Sequence, residues 1–286
     1  MKASQIKSGA LFFAAIILFS FAGEYAVLLN KKENEAKKNA EKIYTTLSNN
    51  FDQSENILIA VGKKIIEETP ELDPKAIHKI FVNASKTEAC SNIFSWSLFD
   101  WVNINGFQVV TTALGIRKNP PQIALERNYL NRGVESWKII FSEATLGIPS
   151  GMQVIPIGVQ VESKKGGRVG AVGAGIDINK LSALTNQRLD ANIDYLLVDQ
   201  RSGGLTFGSQ NLKKNSGKIF NRMPEELDGK KYVFEKKMGQ KYPYIIWVGY
   251  DQKEFWREVF CSSFMLAIEI ISIAACVSFL IKKSER

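Results

Sequence analysis

The chain of 286 residues holds one histidine and three cysteines, and these scarcities exclude more chemistry than any motif supplies. His78 stands alone, so a zinc site of the usual His/Cys kind lacks its ligands. Cys261 and Cys276 fall inside a long apolar run near the end of the chain. That leaves Cys90 with no partner for an intrachain disulfide elsewhere, and there is no Cys-x-x-Cys pair. No Gly-x-Ser-x-Gly elbow and no His-Glu-x-x-His is present. The glycines at 166, 167, 170, 173 and 175 follow a turn and line a strand pattern, whereas a phosphate loop opens a helix. Catalysis has no residue set to rest on, and neither a metal nor another cofactor is expected.

What the chain does have is two apolar runs, 9–29 and 260–281, each long enough to cross about 30 Å of hydrocarbon. Lys2 and Lys7 precede the first, and Lys282, Lys283 and Arg286 follow the second, so the positive-inside rule puts both ends in the cytoplasm. The expected organisation is a tip and first span over 1–30, an external domain over 31–259, a second span over 260–281 and a tail over 282–286. A second reading makes the first run a signal peptide cleaved near Ser20-Phe21-Ala22. Against it, the run stays apolar to Leu29 and passes straight into a helical pattern. The net charge of +8 is compatible with an anionic ligand or anionic headgroups, though a plain lysine bias is the simpler account of it. Nucleic acid is not an expected partner for a domain facing away from the cytoplasm.

Glu24 and Glu269 lie inside the apolar runs, where a carboxylate is costly and is neutralised, paired or functional. Counted from the outer ends of the runs, they are about one turn apart in depth. Three readings stand: a neutral side chain bonded to Ser272 or Ser263, a hydrogen bond shared within a dimer, or contact with a charged membrane partner.

Between the runs, Ala40, Ile43, Leu47, Phe51, Leu58, Val61 and Ile65 recur at steps of three, four or seven. This predicts one long helix leaving the membrane and stopping at Pro70. Asp73-Pro74 then predicts the N-cap and first turn of a short helix that buries Ile77, Ile80 and Phe81. From Phe94 the period changes to two. Asn105-Gly106 between apolar stretches predicts a hairpin with both residues at positive φ. A loop over 115–122 leads to a short helix near 125–132. Residues 138–141, 154–161 and 169–176 read as strands, the last two joined by Lys164-Lys165-Gly166-Gly167. Asp177 or Asn179 caps a helix to about 187. A second, smaller sheet follows: strands over 193–198 and 205–207, a helical turn over 224–227, and a hairpin of 232–236 with 242–250. Asp251 and Glu254 have capping-box spacing with no breaker beyond, so the closing helix runs unbroken into the second apolar run.

An ordered series of short motifs runs through this pattern. It comprises Trp101-Val102-Asn103-Ile104-Asn105-Gly106, Glu126-Arg127-Asn128-Tyr129-Leu130, Phe141-Ser142-Glu143, Ser150-Gly151 with Val154-Ile155-Pro156-Ile157, and Gly173-Ala174-Gly175-Ile176-Asp177-Ile178. In order and spacing it resembles the double Cache sensor domains of bacterial membrane receptors. The likeness covers about 31–259 and is strongest over 95–180. The fold class it implies is α+β: two PAS-like antiparallel-sheet modules on a long N-terminal helix, flanked by two transmembrane helices. The distal module covers about 70–188 and the proximal one about 189–250.

The resemblance also implies a site. In amino-acid-binding members an arginine and aromatics hold the ligand carboxylate, and an aspartate at the last distal strand holds the ammonium. Here those parts fall to Arg127, Tyr129 and Asp177, with Trp137 as a residue that closes the pocket. A guanidinium grips a carboxylate through two parallel hydrogen bonds, so the chemistry is apt. Each residue has a plainer role: an exposed helix position for Arg127, core packing for Tyr129 and Trp137, a helix N-cap for Asp177. Leu130 stands where amino-acid binders carry a second aromatic, and Thr145-Leu146-Gly147 offers neither Tyr nor Asp. The ligand class expected is therefore a small carboxylate-bearing molecule, an amino acid or an organic acid.

The expected function is an extracytoplasmic sensor in the cytoplasmic (inner) membrane, not an enzyme, with no output domain of its own. It would pass a sub-turn shift of its closing helix to a second copy or to a separate signalling partner. The alternative is a non-sensing assembly or adaptor subunit, or the remnant of a receptor that lost its output domain.

Overall fold

The computed structural model describes residues 3–123, 135–146, 151–190, 193–209, 218–239 and 241–284. Helix α1 (Ala3–Glu68) is unbroken for 66 residues, roughly 100 Å at 1.5 Å per residue. No proline occurs before Pro70, and the helix ends there, with Thr69 Oγ1 accepting the Asp73 amide at 3.0 Å. Helix α2 (Pro74–Ser85) starts on the Asp73 carboxylate, which accepts the Lys75 and Ala76 amides, and buries Ile77, Ile80 and Phe81 as the pattern predicts. A short α3 (Glu88–Ile93) follows.

The distal sheet has seven strands: β1 (Phe94–Asn103), β2 (Gln108–Thr111), β3 (Gly115–Ile116), β4 (Ile139–Phe141), β5 (Thr145–Leu146), β6 (Gln153–Glu162) and β7 (Arg168–Asp177). Their order is β3-β2-β1-β7-β6-β4, with β5 also on β6, and every pairing is antiparallel. Helix α4 (Ile178–Asn186) leaves β7 directly. The proximal sheet has β8 (Ile193–Asp199), β9 (Leu205–Gly208), β10 (Glu226–Leu227), β11 (Lys230–Lys237) and β12 (Tyr244–Asp251), in the order β10-β11-β12-β8-β9. Helix α5 (Gln252–Ser284) closes the chain, and the Asp251 carboxylate accepts the Glu254 amide at 3.0 Å.

Two turns differ from expectation. At Asn105-Gly106 only the glycine takes positive φ (85°). Asn103 organises the turn instead: its carbonyl accepts the Gly106 amide, and its side chain accepts the amides of Asn105 and Phe107. Asp228-Gly229 is a two-residue turn with both φ positive (52° and 76°), between the paired Leu227 and Lys230. Residues 226–227 are therefore a strand and not the predicted helical turn.

One apolar core runs along α1 through both sheets, from Ala36 to Ile66. Phe51 marks the level where the sheets meet. Its ring lies 4.9 Å from Phe141 of the distal sheet, and 5.1 and 5.7 Å from Tyr242 and Tyr244 of the proximal one. Polar ties surround this junction. Glu55 accepts the Ile139 amide at 3.0 Å and pairs with Lys241 at 2.8 Å. The Arg201 guanidinium donates to the Phe141 carbonyl and to Asp199.

Two carboxyls, Asp52 beside this junction and Asp251 at the start of α5, are held below the ordinary carboxylate range. Partial burial desolvates Asp52, but hydrogen bonds from Lys241 and Tyr242 outweigh that and hold its carboxyl below the ordinary 3.8. The Glu254 amide, and then Lys230, do the same for Asp251. A depressed folded-state pKa contributes stability that is complete above the unfolded value and is lost as pH falls through the folded one. The thermal midpoint should thus hold steady from about pH 7 to 5 and fall below about pH 4. Asp52→Asn should lower the plateau and flatten the acid limb. An acid limb of unchanged steepness in that variant would contradict the assignment.

Helices α1 and α5 are each long and apolar enough to span a bilayer, and they pack side by side. Phe21 stacks near Trp256 and Phe260 (6.2 and 5.4 Å), and Tyr25 near Phe255 and Trp256 (5.7 and 5.5 Å). Such a ring belt belongs at the membrane–water boundary. Leu28 is buried above it with Tyr250, Phe255 and Val259, in protein and not in lipid. This corrects the depth of Glu24, which lies three residues outside Phe21. Glu269 lies nine residues inside Phe260. Counted along the two helices from the Phe21–Phe260 contact, the two acids are roughly 18 Å apart and not one turn.

Candidate functional site

The distal sheet has two unlike faces. Alternation along β6 and β7 turns Ile155, Ile157, Val159 and Val161, with Val172, Ala174 and Ile176, into the core beside α1. The opposite face carries Pro156, Gly158 and Gln160 from β6, Ala171, Gly173, Gly175 and Asp177 from β7, and Asp100 and Val102 from β1. Register aligns them: Asp100, Gly173, Gly158 and Ile140 form one row across four strands, and Gly175 lies beside Pro156 in the next. The centre of this face is thus a floor rich in glycine, with Gly158, Gly173 and Gly175 beside the ring of Pro156 and the methyl of Ala171, and Asp100, Gln160 and Asp177 stand around it. Ile123 and Ile140 pack at its side over Val102 and Ala171.

Asp177 stands at one end of the floor, 2% exposed. Its Oδ1 accepts the Asn179 and Lys180 amides at 2.8 and 3.3 Å, which makes it the N-cap of α4. Oδ2 has no hydrogen bond among the described residues.

A polar chain that the sequence reading did not single out lies at the other end. Gln108 Nε2 donates to Asp100 at 2.9 Å, and Arg117 Nη1 donates to Gln108 at 2.6 Å. Arg117 reaches this place because the two-residue β3 pairs with β2 and its amide meets the Val109 carbonyl. From the register, Arg117 and Asp177 are about 20 Å apart, too far for one amino acid to bridge.

Arg127 and Tyr129 lie outside the described residues, on the segment the chain enters from Ile123. Trp137 lies on the other side of the sheet from Asp177. Its amide donates to the Gln160 carbonyl at 3.1 Å, its φ is 64°, and its ring packs on Gly62 of α1, where an added Cβ would come within 3.1 Å. That is a core contact.

A cavity of about 260 Å³ lies between the two sheets, with Ile178, the residue after Asp177, in its wall. Glu143, Thr145 and Gln153 line it from the distal side, and Asp199, Ser202 and Thr206 from the proximal side. Asp199 is already held by Arg201, and no group of metal-ligating side chains occurs among the described residues.

No family model matches the sequence, and no curated sequence does. Solved structures match in three dimensions. The ligand-binding domain of the Pseudomonas fluorescens chemoreceptor CtaA, in complex with L-isoleucine, aligns with a TM-score of 0.59 at 15% identity, over 81% of this chain and 95% of that one. The sensory domain of the Campylobacter jejuni chemoreceptor Tlp3 with isoleucine bound gives 0.54 at 13%, over 83% and 98%. An extracellular ligand binding receptor from Desulfohalobium retbaense gives 0.55 at 12%; this chain covers 40% of it with 75% of its own length. At such identities the likeness is one of fold. The chain has the double Cache fold of extracellular sensor domains, set between two helices long enough to span a membrane.

Proposed function

We propose that this protein senses a small carboxylate-bearing molecule, an amino acid or an organic acid, on the outer side of the cytoplasmic (inner) membrane, with both ends inside and no catalytic role. The observation that carries this reading is the glycine floor with the Asp177 carboxylate at its head. A sheet face with glycines at its centre and a buried acid at its edge suits a compact ligand. Arg127 would anchor the carboxylate, Tyr129 would pack on the ligand and hydrogen-bond, and Asp177 would meet a positive end. The isoleucine bound by the CtaA and Tlp3 domains supports that class.

Signalling follows from Asp177's double duty. It caps α4, α4 packs against β9, and the proximal sheet leads from β12 straight into α5. A ligand that draws on the Asp177 carboxylate would bias α4 and, through the sheet, the membrane helix. The test is thermal melting of the purified full-length protein in lipid nanodiscs against the common amino acids and short organic acids. Ligand at a hundredfold excess over Kd adds about 2.7 kcal/mol, roughly a 5–10 °C rise for a domain of this size. A panel in which no compound raises the midpoint would overturn the proposal.

A further inference from the structure

Among the described exposed residues of α5 from Phe264 to Leu280, the polar ones are Glu269, Ser272 and Cys276. At 100° per residue, they and Met265 fall within about 60° of one another. Ser263 and Ala267, buried against α1, lie on the opposite side of the helix. The steps of four, three and four are those of the a and d positions of a helix–helix seam. Everything else exposed on this stretch is apolar: Phe264, Ile268, Ile270, Ile273, Ala274, Ala275, Val277, Phe279 and Leu280. Among the described residues of the span, packing against α1 therefore leaves a polar stripe on the outward face, with a carboxyl group at its centre and roughly 13 Å below the aromatic belt.

We infer that this stripe is the seam of a parallel α5–α5 pair between two copies of the chain. A twofold axis along the helices sets every a and d residue beside its own counterpart. Glu269 then meets Glu269, Ser272 meets Ser272, and Cys276 meets Cys276. Each of these groups, carboxyl, hydroxyl and thiol, both donates and accepts, so the stripe is complementary to itself. In hydrocarbon such groups hold helices together by hydrogen bonds that lipid cannot offer. A basic residue on a foreign helix would satisfy Glu269 alone and leave the rest of the stripe unused. The seam leaves the α1 contact undisturbed and puts the closing helix, the route out of the proximal sheet, at the twofold axis.

The test uses the full-length protein in membranes. In one variant Cys90→Ala and Cys261→Ala leave Cys276 as the single thiol; in a second, Cys276→Ser and Val277→Cys move that thiol about 100° round the helix. Mild oxidation with copper phenanthroline should give a disulfide-linked dimer from Cys276 about ten times more efficiently than from position 277. Glu269→Leu, which makes the span only more apolar and so still inserts, should cut the Cys276 dimer about tenfold, while Glu269→Gln, which keeps donor and acceptor, should preserve it. Absence of a Cys276 dimer, equal linkage at 277, an undiminished dimer in Glu269→Leu, or an adduct with a different membrane protein would each overturn the inference.

Discussion

Phe51→Ala is expected to cost the extracellular domain about 3–5 kcal/mol, the usual range for removing a fully buried phenylalanine. For a domain of this size that is a fall in thermal midpoint of roughly 6–20 °C. The ring is completely buried and touches Phe141, Tyr242 and Tyr244, so the cavity left behind borders both sheets and neither can close it alone. The aromatic partners are themselves held: Tyr242 donates to Asp52 at 2.5 Å, and the Phe141 carbonyl accepts from Arg201. Collapse into the gap would break those bonds. Phe51→Leu keeps most of the apolar volume and should lose well under half as much. Differential scanning fluorimetry of the two variants decides it; a fall of less than about 3 °C for the alanine variant would show that the sheets do not depend on one shared core.

The features that were legible in the sequence are those whose cause is local. The stripe from Ala40 to Ile65 needs only helical spacing, Asp73-Pro74 needs only a cap and a fixed φ, and the β6–β7 hairpin needs only its turn. Strands of two residues, such as β3, β5 and β10, are too short to show a period, and β3 is what brings Arg117 to Gln108 and Asp100. The Asn105-Gly106 pair looked like a turn with two positive φ because the dipeptide favours it, but the Asn103 side chain offered the backbone a better partner. The glycines at 158, 173 and 175 were visible as strand residues. That they lie together depends on the register of β6 against β7, and that Asp100 joins their row depends on the β1–β7 pairing, which is set by contacts distant in sequence. The depth of Glu24 was misjudged because an apolar run does not say whether lipid or protein covers it. Leu28 is covered by Tyr250, Phe255 and Val259.

Arg127→Ala is expected to lower affinity for the ligand about ten- to a hundredfold, the loss of a charge-assisted hydrogen bond of roughly 1.5–3 kcal/mol, with little change in the melting of the unliganded protein. Asp177 separates two roles more sharply. Alanine there removes the cap of α4 and should cost about 1 kcal/mol of stability, because the Asn179 and Lys180 amides lose their acceptor. Serine keeps an acceptor at the cap while removing the carboxylate, so its unliganded melting should stay close to that of the parent. If the ligand carries an ammonium group, both variants should lose about ten- to a hundredfold in affinity. If it is an organic acid without one, affinity in Asp177→Ser should hold or rise, since a carboxylate near an anion repels it. Calorimetry on the three variants with the best compound from the panel measures all of this. Unchanged affinity in both Arg127→Ala and Asp177→Ser would remove this end of the glycine floor from the site, and attention would pass to the Arg117–Gln108–Asp100 chain at the other.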